Sequence, residues 1–185
     1  MRKFINLLII ASTSCAVTGC FGTKTSTKDL CEPWLKPDSS VYRHLGERLS
    51  SILFSPDSVK CYHLAYRDTV DKKKDINDNF IRDRFLCRLS KEQTVVLQYV
   101  LMNNYRSYSH DSIRVQAPYL PSVEFLFIKQ DSLKASVIIS TSDMTWTVVS
   151  GNKTLFNYDY VDIKVVNRYC NELINKYYCK KIIKR

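Results

Sequence analysis

Pro121-Ser122-Val123-Glu124-Phe125-Leu126-Phe127-Ile128-Lys129-Gln130-Asp131-Ser132-Leu133-Lys134-Ala135-Ser136-Val137-Ile138-Ile139-Ser140 sets two β-forming runs around one polar tetrad. Ser122 to Ile128 and Leu133 to Ser140 follow the two-residue period of a strand, and Lys129-Gln130-Asp131-Ser132 supplies the turn. Phe125, Phe127, Val137 and Ile139 give one apolar face. Leu126, Ile128 and Ile138 make the second face apolar as well, so the hairpin is expected in the middle of its sheet.

Outward from the hairpin, Thr145 to Val149 reads as another strand, β-branched with Trp146 to pack, ended by Ser150-Gly151-Asn152. Ser58 to Tyr66 alternates Val59, Cys61 and His63 against Lys60, Tyr62 and Leu64, again a strand. Phe80, Ile81, Phe85 and Leu86 fit a short helix or a strand equally well. Val41 to Phe54 has helical spacing, with Ser40 as the expected N-cap. A second helix opens at the capping box Ser90-Lys91-Glu92-Gln93, carries Val96, Leu97, Val100 and Leu101, and stops at Asn103-Asn104. A third is expected in Val161 to Tyr178, from Val165, Val166, Tyr169, Cys170, Leu173, Ile174 and Tyr177. Strands interrupted by helices, with a late hairpin, predict an α+β single domain: a small, mainly antiparallel sheet packed against three to four helices. No internal repeat breaks that pattern.

The chain has 185 residues, 45% of them hydrophobic, enough for one well-buried core and too apolar for disorder. Its ends differ from its middle. Arg2 and Lys3 precede the apolar run Phe4 to Ile10, and Val17-Thr18-Gly19-Cys20 closes the segment. That is the layout of a secretory signal, too short for a membrane span. The four-residue motif resembles the lipobox of bacterial lipoproteins, which implies acylation of Cys20. Residues 1–19 are then the signal peptide, 20–36 a lipidated tether, and 37–185 the folded domain. By resemblance to lipoprotein sorting, the lack of Asp at position 21 implies the outer membrane. Early positive charges, Lys24 and Lys28, point to its periplasmic side with surface exposure left open.

Pro121, Glu124, Phe125, Phe127 and Trp146 also make the second half loosely similar to small lipoproteins of Bacteroidota, a likeness that implies a fold type and no mechanism. Four triplets, Asp57-Ser58-Val59, Asp68-Thr69-Val70, Asp111-Ser112-Ile113 and Asp131-Ser132-Leu133, resemble the O-glycosylation acceptor of those bacteria. Ser58, Thr69, Ser112 and Ser132 are therefore candidate acceptors. The same triplet is also how a turn leads into a strand.

The net charge is +10, and loss of Arg2 and Lys3 lowers it to +8. Such an excess attracts anionic lipid, glycan or an acidic envelope protein. The expected compartment makes nucleic acid no partner. Membrane attachment is expected through lipid on Cys20. The basic end, Lys176, Lys180, Lys181, Lys184 and Arg185, suits an anionic surface or a soluble helix terminus.

Of seven cysteines, Cys15 lies in the signal and Cys20 in the lipobox, leaving Cys31, Cys61, Cys87, Cys170 and Cys179. No C-x-x-C pair suggests a redox motif or zinc. His44, His63 and His110 lack metal-ligand spacing. No G-x-S-x-G elbow, paired-carboxylate signature or Gly-rich phosphate loop is present. No catalytic residue, cofactor or metal is expected. Cys61 and His63, two apart on a strand, are the one pair from which a thiol-dependent enzyme could be built. Tyr105, Arg106, Tyr108, His110, Arg114 and Tyr119 form a basic and aromatic set in a long connection, the expected partner surface. The residues thus predict a lipid-anchored envelope protein with a non-catalytic binding, accessory or structural role. Alternatives are an immunity or inhibitor protein against an envelope-targeted toxin or hydrolase, and the Cys61–His63 enzyme.

Overall fold

The computed structural model describes residues 34–66, 80–108, 119–151 and 153–177. Helix α1 (Ser39–Phe54) leads into β1 (Ser58–Tyr66) and β2 (Phe80–Arg88). Helix α2 (Lys91–Leu97) runs on into a wide π-type turn, Gln98–Met102, and a short 3-10 turn, Tyr105–Tyr108. Strands β3 (Pro121–Lys129), β4 (Leu133–Ser140), β5 (Thr145–Ser150) and β6 (Lys153–Asp159) precede helix α3 (Ile163–Tyr177). The architecture is α+β: six strands in the order β2-β1-β3-β4-β5-β6, every neighbouring pair antiparallel.

The hairpin β3–β4 occupies the two central positions, as its doubly apolar sequence requires. Val123, Phe125 and Phe127 stand opposite Ile139, Val137 and Ala135, and all six are buried. This face continues into Val59 and Cys61 on β1 and into Trp146 and Val148 on β5. The described helices pack against it. Tyr169 of α3 meets Phe125 at 6.1 Å, Tyr108 meets Trp146 at 5.2 Å, and Lys129 reaches the end of α1.

Local chemistry sets the helix ends. The capping box forms as expected, Gln93 N–H to Ser90 Oγ at 3.2 Å and Ser90 N–H to Gln93 Oε1 at 2.9 Å. At α1 the cap is Asp38 and not Ser40: the Asp38 carboxylate accepts the Ser40 amide at 2.9 Å, two residues earlier than the apolar spacing suggested. Gly46, at φ 72°, bends α1 in the middle by taking a left-handed conformation that other residues rarely adopt.

The ambiguous segment at Phe80 is a strand. Its period is obscured because β2 skips register against β1 twice, after Cys61 and after His63, and each irregularity turns side chains to the other face. β2 is also an outer strand, and Arg82, Asp83, Arg84 and Arg88 place charge along it, a usual guard against edge-to-edge pairing. Strand β6 falls between the strand ended by Ser150-Gly151-Asn152 and the helix expected from Val161, a stretch for which the sequence predicts no element.

Candidate functional site

The expected partner surface is dispersed by the fold. Tyr105 and Arg106 lie exposed on the 3-10 turn, while Tyr108, three residues on, points into the core. Its ring packs edge-on to Trp146, its hydroxyl donates to the Met102 carbonyl at 2.6 Å, and burial pushes its pKa up. Trp146 Nε1 in turn donates to the Ser107 carbonyl at 2.7 Å, so this turn is locked to β5. Tyr108 is thus a core residue, a correction to its place in the partner set: the Trp146 ring and the Met102 carbonyl hold it inside, although it follows exposed Tyr105 by one 3-10 turn. Tyr119 lies on the opposite face of the sheet, its hydroxyl 3.4 Å from Thr147 Oγ1 and its ring 5.9 Å from Phe80. His110 and Arg114 lie outside the described residues.

Two described surfaces carry recognition chemistry. The first is the sheet face away from the helices, at its β1–β2 end. Arg82 crosses from β2 to β3 and grips Glu124 with two bonds, Nε to Oε2 at 2.6 Å and Nη2 to Oε1 at 2.7 Å. Ser136 Oγ adds a third bond to Glu124 Oε1 at 2.5 Å. The guanidinium lies 4.8 Å from the Tyr62 ring centroid. Glu124 is nearly buried (side chain 7% exposed) and Arg82 is not (45%), so the pair is a charged strut with one open end. Around it stand edge-on aromatic pairs, Tyr62–Phe85 at 5.5 Å and Tyr66–Phe80 at 5.1 Å. Tyr66 and Phe85 each leave half their surface exposed. Sequence reading missed this cluster because Arg82 and Glu124 are 42 residues apart; the signal was a lone Glu in the apolar run of β3.

The second is a polar cleft of about 300 Å³ between the starts of α1 and α3 and the end of the π-type turn. Asp38, Ser40, Tyr99, Asn103, Asn104, Tyr105 and Asp162 line it. Asn103 Oδ1 accepts the Asp38 amide at 2.7 Å and Asn104 Oδ1 accepts the Arg106 amide at 3.1 Å. Tyr99 and Tyr105 flank these groups with rings well exposed to solvent.

The thiol and imidazole candidates each meet a residue of β2. His63 Nδ1 sits 3.2 Å from Asp83 Oδ2, partly exposed. Cys61 is buried and faces Cys87 on β2, and its thiol bond to Cys87 together with burial raises its pKa far above the ordinary value. A reactive nucleophile needs the reverse. His44 packs against the rings of Tyr108, Phe156 and Tyr158. No group of three or more metal-ligating side chains exists among the described residues.

Of the acceptor candidates, Ser58 opens β1 opposite Ile128, half-buried, and Ser132 sits exposed in the β3–β4 turn. Asp57 Oδ2 accepts the Gln130 amide at 2.6 Å, the behaviour of a turn residue. Thr69, Ser112, Cys20, Cys31 and Cys179 lie outside the described residues, as do residues 1–19 and most of the basic end. No described helix is long and apolar enough to cross a membrane. Compared with known proteins, the chain matches no family model, no curated protein and no solved structure.

Proposed function

We propose that this chain is a lipid-anchored envelope protein, held through Cys20 at the periplasmic side of the outer membrane, that acts by binding another protein. The observation that carries the reading is the fixed Arg82 beside exposed Tyr66 and Phe85 on the sheet face that the helices leave alone. Aromatic residues and arginine, held rigid before contact, are the composition of protein-interaction hot spots. Phe85 disfavours a purely glycan ligand, since its ring brings apolar area and no hydrogen-bonding group. The open end of the Arg82 guanidinium favours a partner with a carboxylate at the contact. Photo-crosslinking from position 85 in natively expressed protein tests this, with position 155 on the far edge strand as control. One adduct specific to position 85 supports it; equal labelling from both positions refutes it.

A second reading rests on the cleft. Amides and carboxylates lining a cleft with two tyrosine rings suit a neutral polyhydroxylated ligand, such as an envelope saccharide. Tyr99→Ala would abolish glycan binding there and leave crosslinking from position 85 untouched.

A further inference from the structure

Cys61 and Cys87 stand directly opposite each other on β1 and β2, both buried, with their thiols in hydrogen-bond contact. The Leu89 amide donates to the Val59 carbonyl at 2.9 Å, which sets the phase of this ladder. Bonded pairs recur at every second position, so Cys61 and Cys87 form the next such pair. Its Cα atoms are held about 5.5 Å apart, within the roughly 4.4–6.8 Å that a disulfide accepts. The sulfurs need a small approach to bond. β2 can supply it, because it is an outer strand with a register irregularity immediately after Cys61.

We propose that Cys61 and Cys87 form a cross-strand disulfide that ties β2 to the body of the sheet, with Cys170 remaining a thiol. Cys170 is fully buried on α3 and lies in no ladder with either partner. The oxidant is a disulfide, either oxidised glutathione or a disulfide-bearing oxidoreductase. Cys87 is the first nucleophile: it is the more accessible of the two (7% against 0%), and the Cys61 hydrogen bond and the Lys176 charge favour its thiolate. Cys87 gives its proton to water, its sulfur bonds to one sulfur of the oxidant, the oxidant S–S bond breaks, and the first thiolate leaves and takes up a proton. Cys61 then gives its proton to water and attacks Cys87 Sγ. The Sγ–Sγ bond forms as the second oxidant thiolate departs. Two cysteine thiols are oxidised, and one disulfide is reduced to two thiols.

This bond needs only the named oxidant, whatever the compartment, and defined conditions supply it. The purified full chain is equilibrated in an oxidising glutathione buffer, denatured with an alkylating agent present, and digested for peptide mapping. The expected result is a Cys61–Cys87 linked peptide, two hydrogens lighter than its separate parts, with Cys170 alkylated. Alkylation of both Cys61 and Cys87, a glutathione adduct on either, or a link from either to Cys170 would overturn it.

Discussion

Glu124 is a carboxylate set into an apolar strand, and its partners are unequal. Removing Arg82 leaves a nearly buried charge with Ser136 alone, whereas removing the Glu124 charge leaves an arginine already open to water. Arg82→Ala should therefore cost about 2–3 kcal/mol and Glu124→Gln about 1 kcal/mol in urea unfolding. Equal losses would mean that the strut is not held as described. A second consequence concerns alkali. Burial raises the phenol pKa values of Tyr108, Tyr160 and Tyr169 and pushes the Cys170 thiol up to about 12. The unfolded chain loses these protons from roughly pH 9–10, while the folded chain retains them. The folded state then binds more protons, so stability is complete below that range and falls as pH rises through it. The urea midpoint should drop between about pH 8 and pH 10.5, with late tyrosinate absorbance appearing only on unfolding. At this scale the sequence was least legible. Tyr105 and Tyr108 look alike in the chain, and contacts with distant residues, among them Trp146 and His44, bury one of them.

Helix α1 shows how elements are completed by residues far away. Its last carbonyls have no intrahelical donors. Gln98 Nε2 donates to the Leu53 carbonyl at 2.8 Å, and Lys129 Nζ reaches the Ser55 carbonyl at 2.9 Å and Ser55 Oγ at 2.5 Å. The lysine also places a positive charge at the negative end of the helix dipole. Lys129→Met keeps most of the packing and removes the donor, and should cost about 1–2 kcal/mol by thermal or urea denaturation. No measurable loss would show that water caps the helix equally well. Elements with an undisturbed period were readable from the chain: the β3–β4 hairpin, β1, β5 and the capped α2. β2 was not, because its two irregularities break the alternation that identifies a strand. β6 was missed for a similar reason. Thr154, Phe156 and Tyr158 alternate inward, but the outward position between the first two holds an apolar residue, exposed Leu155, which blurs the pattern in the sequence. Gly151 was the available clue, since it has φ 63° and follows β5 directly, where a hairpin turn is expected.

The molecule as a whole divides its sheet between two tasks. One face, with Trp146, Phe125 and Phe127, holds the helices and supplies the core. The other keeps a charged strut and half-exposed rings at its β1–β2 end. The proposed anchorage has its own test: Cys20→Ser should move the protein from the membrane to the soluble fraction, and continued sedimentation with membranes would refute lipidation as the anchor. The binding claim is tested most directly by comparing wild type with a Tyr66→Ser/Phe85→Ser variant. Both residues are half-exposed, so each change should cost little stability, about 0.5 kcal/mol, and circular dichroism would check the fold. Each protein is extracted in mild detergent from native membranes and its stoichiometric companions are quantified. The account predicts one dominant protein with the wild type, depleted at least tenfold with the folded variant. Recovery of wild type alone, or of the same companion at equal amount with the variant, would contradict it.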